Sequence, residues 1–246
     1  MLIDVHAHLD YDKYKMPVED VVKKAKKAGI VAVINCGLNV ESNRATLELS
    51  KKYDIVKPAY GFYPCDAESV PKQEIIKEIE WIKKQNPIAI SEIGLDGKWG
   101  KDIEKQEWVF EQFLLLAKEL DIPVIVHTRR LEKRSFEIME RLEMKRVVLH
   151  CFSGGIQLVD RGIKNRWSFS IPPIITFSED FQTLVKIADL GLLLTETDSP
   201  YLAPRKGEIN FPENVAITLS EIAKLKGLET EEVKNIIFMN FQRMFL

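Results

Sequence analysis

Cysteine is scarce in this chain and odd in number. Cys36, Cys65 and Cys151 stand far apart and form no CxxC pair. Three dispersed thiols argue against a disulfide framework and a structural zinc knuckle, and they fit reduced side chains in a cytosolic protein. Long apolar runs are missing as well. None reaches the roughly 18 residues of a membrane span, so no membrane partner is expected. Leu2 already enters a strand pattern with no basic start or cleavage site before it, so no signal peptide is expected. Neither sign of charge dominates: 35 Lys and Arg face 37 Asp and Glu, for a formal net charge of −2. A global basic field that would draw the protein to nucleic acid is therefore absent. Linkers and low-complexity segments are also lacking.

What is present is an alternation of strand-like and helical patterns. Apolar runs at Leu2–His8, Ile30–Gly37, Ile55–Phe62, Ile88–Leu95, Pro123–Thr128, Arg146–Cys151, Trp167–Ile171 and Leu192–Thr197 read as strands. Several are almost continuously apolar, as expected when both faces are covered. Between them lie stretches with helical spacing, such as Val18, Val21, Val22 and Ala25, or Ile75, Ile76, Ile79 and Ile82. Asp102–Leu120 is the longest; Gly154–Lys164 and Ser178–Leu190 are weaker, and helices over about 212–226 and 230–241 close the chain. Eight such units in 246 residues, 46% of them hydrophobic, predict an α/β fold: a single (β/α)8 TIM barrel over residues 1–246. An open doubly wound sheet would call for a Gly-rich phosphate loop after the first strand, and there is none.

Histidine is as sparing as cysteine, yet its placement is concentrated. His6, His8, His127 and His150 all sit at or beside the C-terminal end of a strand-like run, and Glu92 and Asp198 occupy matching places. Residues i and i+2 of a strand share a face, so His6 and His8 converge. A lone HxH is equally well two ordinary polar residues at a strand end. In a barrel, however, all these strand ends open on one face. Six N and O donors there suit a pair of divalent ions, with Zn2+, Mn2+, Co2+ and Mg2+ all admitted by the mixture of imidazole and carboxylate.

The motifs DVHAHLD, SEIGLD, PVIVHTR, LHCFSGG and ETDSPYLAP, followed by Asn210 and Pro212 as an N-x-P signature, run in order along nearly the whole chain. In this it resembles the TatD-like metal-dependent deoxyribonucleases of the amidohydrolase superfamily. The resemblance implies a TIM barrel with two metals at the C-terminal strand ends. His6, His8, Glu92 and Asp198 would hold one ion, and Glu92, His127 and His150 the other, with Glu92 bridging. Two neighbouring cations need a shared anionic ligand, and no Lys that could be modified for that purpose precedes Gly97 at the end of the fourth strand. One position departs from the family pattern. Where G-x-H-P is usual the chain has GFYP, so Tyr63 replaces a histidine with a phenol that can hydrogen-bond a phosphate but carries no positive charge at neutral pH.

The implied reaction is hydrolysis of DNA, from strand ends, by a cytoplasmic enzyme with a water activated between two metals. Glu92 and Asp198 are the candidate catalytic carboxylates; Asp198 is either a plain ligand or also accepts the proton of the water. Arg129, Tyr63, Lys98 and Arg205 are candidate substrate contacts, together with Trp99, which lies between Lys98 and Lys101 and can stack on a base. Each also has an ordinary reading as a solvated loop charge or a packed aromatic. An amide or ester hydrolase on the same binuclear site, and a non-catalytic metal-holding scaffold, are the competing functions.

Overall fold

In the computed structural model, which describes residues 1–246, the eight strand patterns form one parallel sheet. The strands are β1 (Leu2–Ala7), β2 (Ile30–Cys36), β3 (Val56–Tyr60), β4 (Ala89–Asp96), β5 (Val124–Arg129), β6 (Val147–Leu149), β7 (Ser168–Ile171) and β8 (Leu193–Thr195). Each pairs with the next in chain order. The sheet closes on itself where β8 meets β1. Thr195 Oγ1 donates to Ile3 O at 2.7 Å, Asp198 N to His6 O at 2.8 Å, and His8 N to Ser199 O at 2.8 Å. Most of this seam lies beyond the short β8, in the segment that carries Asp198.

Helices α1 (Val18–Lys27), α2 (Val40–Lys52), α3 (Pro64–Glu68), α4 (Lys72–Ile82), α5 (Ile103–Leu120), α6 (Glu132–Arg141), α7 (Ile156–Lys164), α8 (Glu179–Ile187), α9 (Val215–Lys226) and α10 (Thr230–Phe245) accompany the barrel. Their local sequences explain their ends. Asn39 and Asp102 cap α2 and α5 by accepting from Ser42 N and Lys105 N, both at 3.0 Å. Such caps contribute about 1 kcal/mol each. Gly227, at φ 66°, ends α9 in the left-handed conformation that glycine adopts without steric cost.

The core fills the barrel and the space between strands and helices. Val124, Ile125 and Val126 of β5 are wholly buried, as the uninterrupted apolar run predicted, and Phe110, Phe113, Phe136 and Trp167 pack around the sheet. A second cluster joins Val21, Val22 and Ala25 of α1 to Tyr14 and Val33. The (β/α)8 expectation is met, with local differences. The last helix continues to Phe245, because Phe241 and Phe245 still bury the face begun by Val233 and Ile237. Helix α3 was not anticipated; five residues are too few to show a helical period. No helix is long and apolar enough to cross a membrane.

Candidate metal centre

The strand ends bring all six candidate donors together. His6, in β1, and His8, one residue past its end, turn to the same side, with their Nε2 atoms 3.2 Å apart. Glu92, buried in β4, divides its carboxylate between two neighbourhoods. Oε2 lies 3.3 Å from His6 Nε2 and 3.5 Å from His8 Nε2, while Oε1 lies 3.0 Å from His127 Nδ1. Asp198 Oδ1 is 3.3 Å from His8 Nε2 and 3.8 Å from His6 Nε2. The His150 ring stacks on His6 at 3.7 Å between centroids. Donor atoms of His6, His8 and Asp198 all lie within 4.8 Å of one another, and so do those of Glu92, His127 and His150. Metal–ligand distances of about 2.0–2.2 Å put neighbouring donors about 3.0–3.5 Å apart, so the donor set fits divalent ions without large rearrangement.

Two glycines make this approach possible. A Cβ on Gly61 would stand 2.7 Å from the Ser91 carbonyl carbon, beside the Ser91–Glu92 peptide. Gly94 has φ +144°, and a Cβ there would come within 1.9 Å of His127 O. Glycine at these points lets β3 and β5 lie close against the strand that carries Glu92.

A second layer of acceptors fixes the imidazoles. His8 Nδ1 lies 3.0 Å from Cys36 O, His127 Nε2 3.1 Å from Asp96 Oδ2, and His150 Nδ1 2.8 Å from Glu196 Oε2. Each of these nitrogens donates its proton outward, so in the neutral imidazole a metal ion requires, the other ring nitrogen, turned to the centre, is the bare one. Asp96 also accepts from Lys98 N at 2.8 Å, Trp99 N at 2.9 Å and the Tyr63 hydroxyl at 2.9 Å. Glu196 accepts from Cys151 N at 2.9 Å and from Ser170 Oγ. His6, His150 and Glu196 form a further group with metal-ligand spacing, but both oxygens of Glu196 are occupied by these bonds. Buried Asp4 ties His6 N to Thr197 N across the seam, at 3.2 and 2.9 Å. Sequence reasoning missed Asp4, Asp96 and Glu196, although all three stand within the motifs that supplied the ligands.

The electrostatics of the cluster are those of a cation site. Burial works against the charge on Glu92, yet its contacts with His127 and His6 hold its pKa well below the ordinary carboxylate value. Burial likewise opposes the charge on Asp198, which His8 and His150 outweigh. Burial lowers His8 and His150, but Asp198 with Glu92 carries His8 up to about 9, and Glu196 carries His150 up to about 10. His6 goes the other way, to about 4, through burial and the neighbouring His150 cation. The carboxylates are thus ionised and attract positive charge, whether protons or divalent ions.

Over this centre opens a cleft of about 410 Å³, into which Tyr11, Tyr63, Trp99, Arg129 and Tyr201 face. Of the expected substrate contacts, Arg129 and Tyr63 line it. The Tyr63 hydroxyl, expected to meet a phosphate, instead donates to Asp96 and can offer a substrate only its acceptor side. Lys98 and Arg205 are not among the lining residues. Lys98 Nζ lies over the Trp99 ring at 4.7 Å, and Arg205 points into solvent with Glu208 3.9 Å away. Loop charges turn wherever the local turn sends them, and the sequence does not encode that direction plainly.

The model of the TatD related DNase family matches residues 3–246. The chain belongs to that family. It is 36% identical over 246 residues to an uncharacterized metal-dependent hydrolase of Methanocaldococcus jannaschii, covering 99% of this chain and 96% of that protein. It is 33% identical to the human deoxyribonuclease TATDN3, covering 99% of this chain and 94% of that one. Among solved structures, the TatD homologue YjjV of Escherichia coli superposes with a TM-score of 0.90 at 27% identity, over 99% of this chain and 97% of that one. Like these TatD relatives, the chain is a metal-dependent hydrolase, and its His, Glu and Asp groupings are suited to the metal.

Proposed function

We propose that this TatD-family hydrolase cleaves phosphodiester bonds of DNA at strand ends, using two divalent ions of the Zn2+, Mn2+ or Mg2+ class. The observation that carries this reading is the divided carboxylate of Glu92: Oε2 faces His6 and His8, while Oε1 faces His127. A carboxylate so placed is suited to link two cation positions. In this reading His6, His8 and Asp198 hold one ion, His127 and His150 the other, and Glu92 both. When bound, such a pair lowers the pKa of a water towards neutrality and neutralises charge on the attacked phosphate.

The chain's own groups supply the rest. Asp198 is partly open to the cleft, with its side chain 17% exposed, and is placed to take a proton from the attacking water as well as to bind metal. Arg129 lines the same cleft, and its guanidinium fork suits phosphate oxygens. Counting the ligands alone, two carboxylates set against two divalent ions would leave a net positive charge although the chain is net negative, a surplus that Asp96 and Glu196 behind the imidazoles reduce. An anionic substrate is thus favoured close to the metals and not from afar. With three free thiols, the protein is suited to the reducing cytoplasm.

The test is nuclease activity on end-labelled single- and double-stranded oligonucleotides with Zn2+, Mn2+ or Mg2+ added back, alongside closed circular duplex and small amide and ester substrates. Metal-dependent shortening from labelled ends is expected. Rapid nicking of the closed circle without attack on ends would overturn the end preference, and faster hydrolysis of amides or esters would favour a deacylase.

A further inference from the structure

The walls of the cleft are aromatic, and their positions relative to the metal centre point to a ligand more specific than a phosphate. Of the four tryptophans, Trp167 is 1% exposed, and Trp81 and Trp108 pack against the core, whereas Trp99 is 61% exposed. Its position in the turn after β4 is nevertheless fixed. Trp99 N donates to Asp96 Oδ1 at 2.9 Å, and Gly100 N to Asp96 O at 3.1 Å. Through Oδ2, the same Asp96 holds His127. The backbone that carries the exposed indole is therefore held by the same buried carboxylate that contacts His127.

Across the barrel mouth stands a second aromatic wall. Tyr11 follows β1 and Tyr201 follows β8, and these strands lie opposite β5 and β4 in the closed order. The two rings meet edge to face at 5.6 Å, with Tyr11 6.4 Å from His8. Lys13 braces the pair from outside, with Nζ 2.9 Å from the Tyr201 hydroxyl and 4.2 Å from the centre of its ring. Ordinary packing explains that pair but not Trp99, which is largely exposed with the Lys98 Nζ 4.7 Å from its ring centre.

We infer that Trp99 and the Tyr11–Tyr201 pair form a nucleobase subsite, in which the indole stacks on a base next to the phosphate at the metal centre and the tyrosine wall faces it. This rests on the proposed phosphodiesterase reading and adds to it that bases, and not only backbone charge, are recognised. Stacking is tolerant of sequence because every base presents a π-face. The cleft should therefore discriminate little among the four bases and strongly against a backbone without bases.

Binding is measured in EDTA, where nothing is cleaved, by the fluorescence anisotropy of an end-labelled short oligothymidylate and of an equally labelled propanediol-phosphate oligomer of equal charge, with quenching of tryptophan emission by the unlabelled oligomers read alongside. The thymidylate should quench a component that is missing in Trp99→Leu. Its Kd should rise about tenfold in Trp99→Ala and return towards the parent in Trp99→Phe, as expected for loss of one stacked base. The base-free oligomer should bind parent and variant alike. In Mn2+, KM should follow the same order while kcat and metal content stay near the parent's. Equal affinity of the parent for both oligomers, an unchanged Kd in Trp99→Ala, or no binding of thymidylate would each overturn the subsite. Base-dependent quenching without cleavage in any metal would leave the subsite standing and overturn the nuclease reading instead.

Discussion

Tyr63 and His127 meet on one oxygen: the Tyr63 hydroxyl donates to Asp96 Oδ2 at 2.9 Å, and His127 Nε2 lies 3.1 Å from the same atom. The tyrosine that stands where GxHP has its histidine thus reaches the candidate ligand His127 through a carboxylate. Removing a partner of this kind typically weakens metal binding about 10- to 100-fold. Asp96→Ala should do so, while Tyr63→Phe, which leaves the Asp96–His127 contact intact, should cost less than about tenfold. Competition of each variant with a chromogenic chelator measures this. Three indistinguishable affinities would remove both residues from the support of His127.

Glu92→Ala and His127→Ala should differ in stoichiometry. Glu92 faces both groups of donors, so its loss should weaken both ions, whereas His127→Ala should empty mainly one. Elemental analysis after saturation and desalting reports the ions per chain. Full occupancy and activity in Glu92→Ala would end the bridging role.

For Asp198, the amide keeps the size of the side chain but not its basicity. Asp198→Asn should therefore keep the fold and most DNA binding, while turnover falls about a hundredfold or more, the ordinary range of a general base. A turnover within a few-fold of the parent would show that Asp198 takes no part in proton transfer.

Backbone geometry gives a prediction independent of metal. Gly94 has φ +144°, and an added Cβ would come 1.9 Å from His127 O. Gly94→Ala must strain that residue and push β5 away, so we expect a stability loss of at least about 2 kcal/mol in denaturant titration. A midpoint equal to the parent's would mean that the two strands can separate freely at this point.

Salt should matter little to DNA binding, because the chain carries no net positive charge. With one to three phosphates neutralised near the metals, the log–log slope of affinity against salt should be about −1 to −3. Arg129→Ala should flatten it further and slow DNA turnover without changing metal content. A steep slope in the parent would point to an extended basic surface instead.

The strands and the candidate ligands were legible in the sequence for a common reason. A residue at the end of an apolar run must lie at the mouth of a barrel, whatever its neighbours do, so His6, His8, Glu92, His127, His150 and Asp198 could be placed before any coordinates. Asp96 and Glu196 were equally visible as letters in SEIGLD and ETDSP. Whether a carboxylate faces the centre or the back of an imidazole, however, is decided by differences of an ångström or two that no periodicity records. That Lys98 and Arg205 do not line the cleft has a related reason. They lie in turns, where each side chain's direction depends on local dihedral angles, while Arg129 lies in β5 and inherits its direction from the strand.

The seam between β8 and β1 has a consequence for how the protein comes into being. His6 and His8 leave the ribosome first among the candidate ligands and Asp198 last, yet the hydrogen bonds from Asp198 N to His6 O and from His8 N to Ser199 O join them. Until that late segment arrives, β1 presents an unpaired edge, and the site lacks one of its carboxylates. A chain released early would thus lack this candidate ligand and present the kind of open edge that pairs with another chain. The segment that pairs with β1 is the one that carries Asp198, so closing the barrel and bringing this candidate ligand to the centre are one and the same contact.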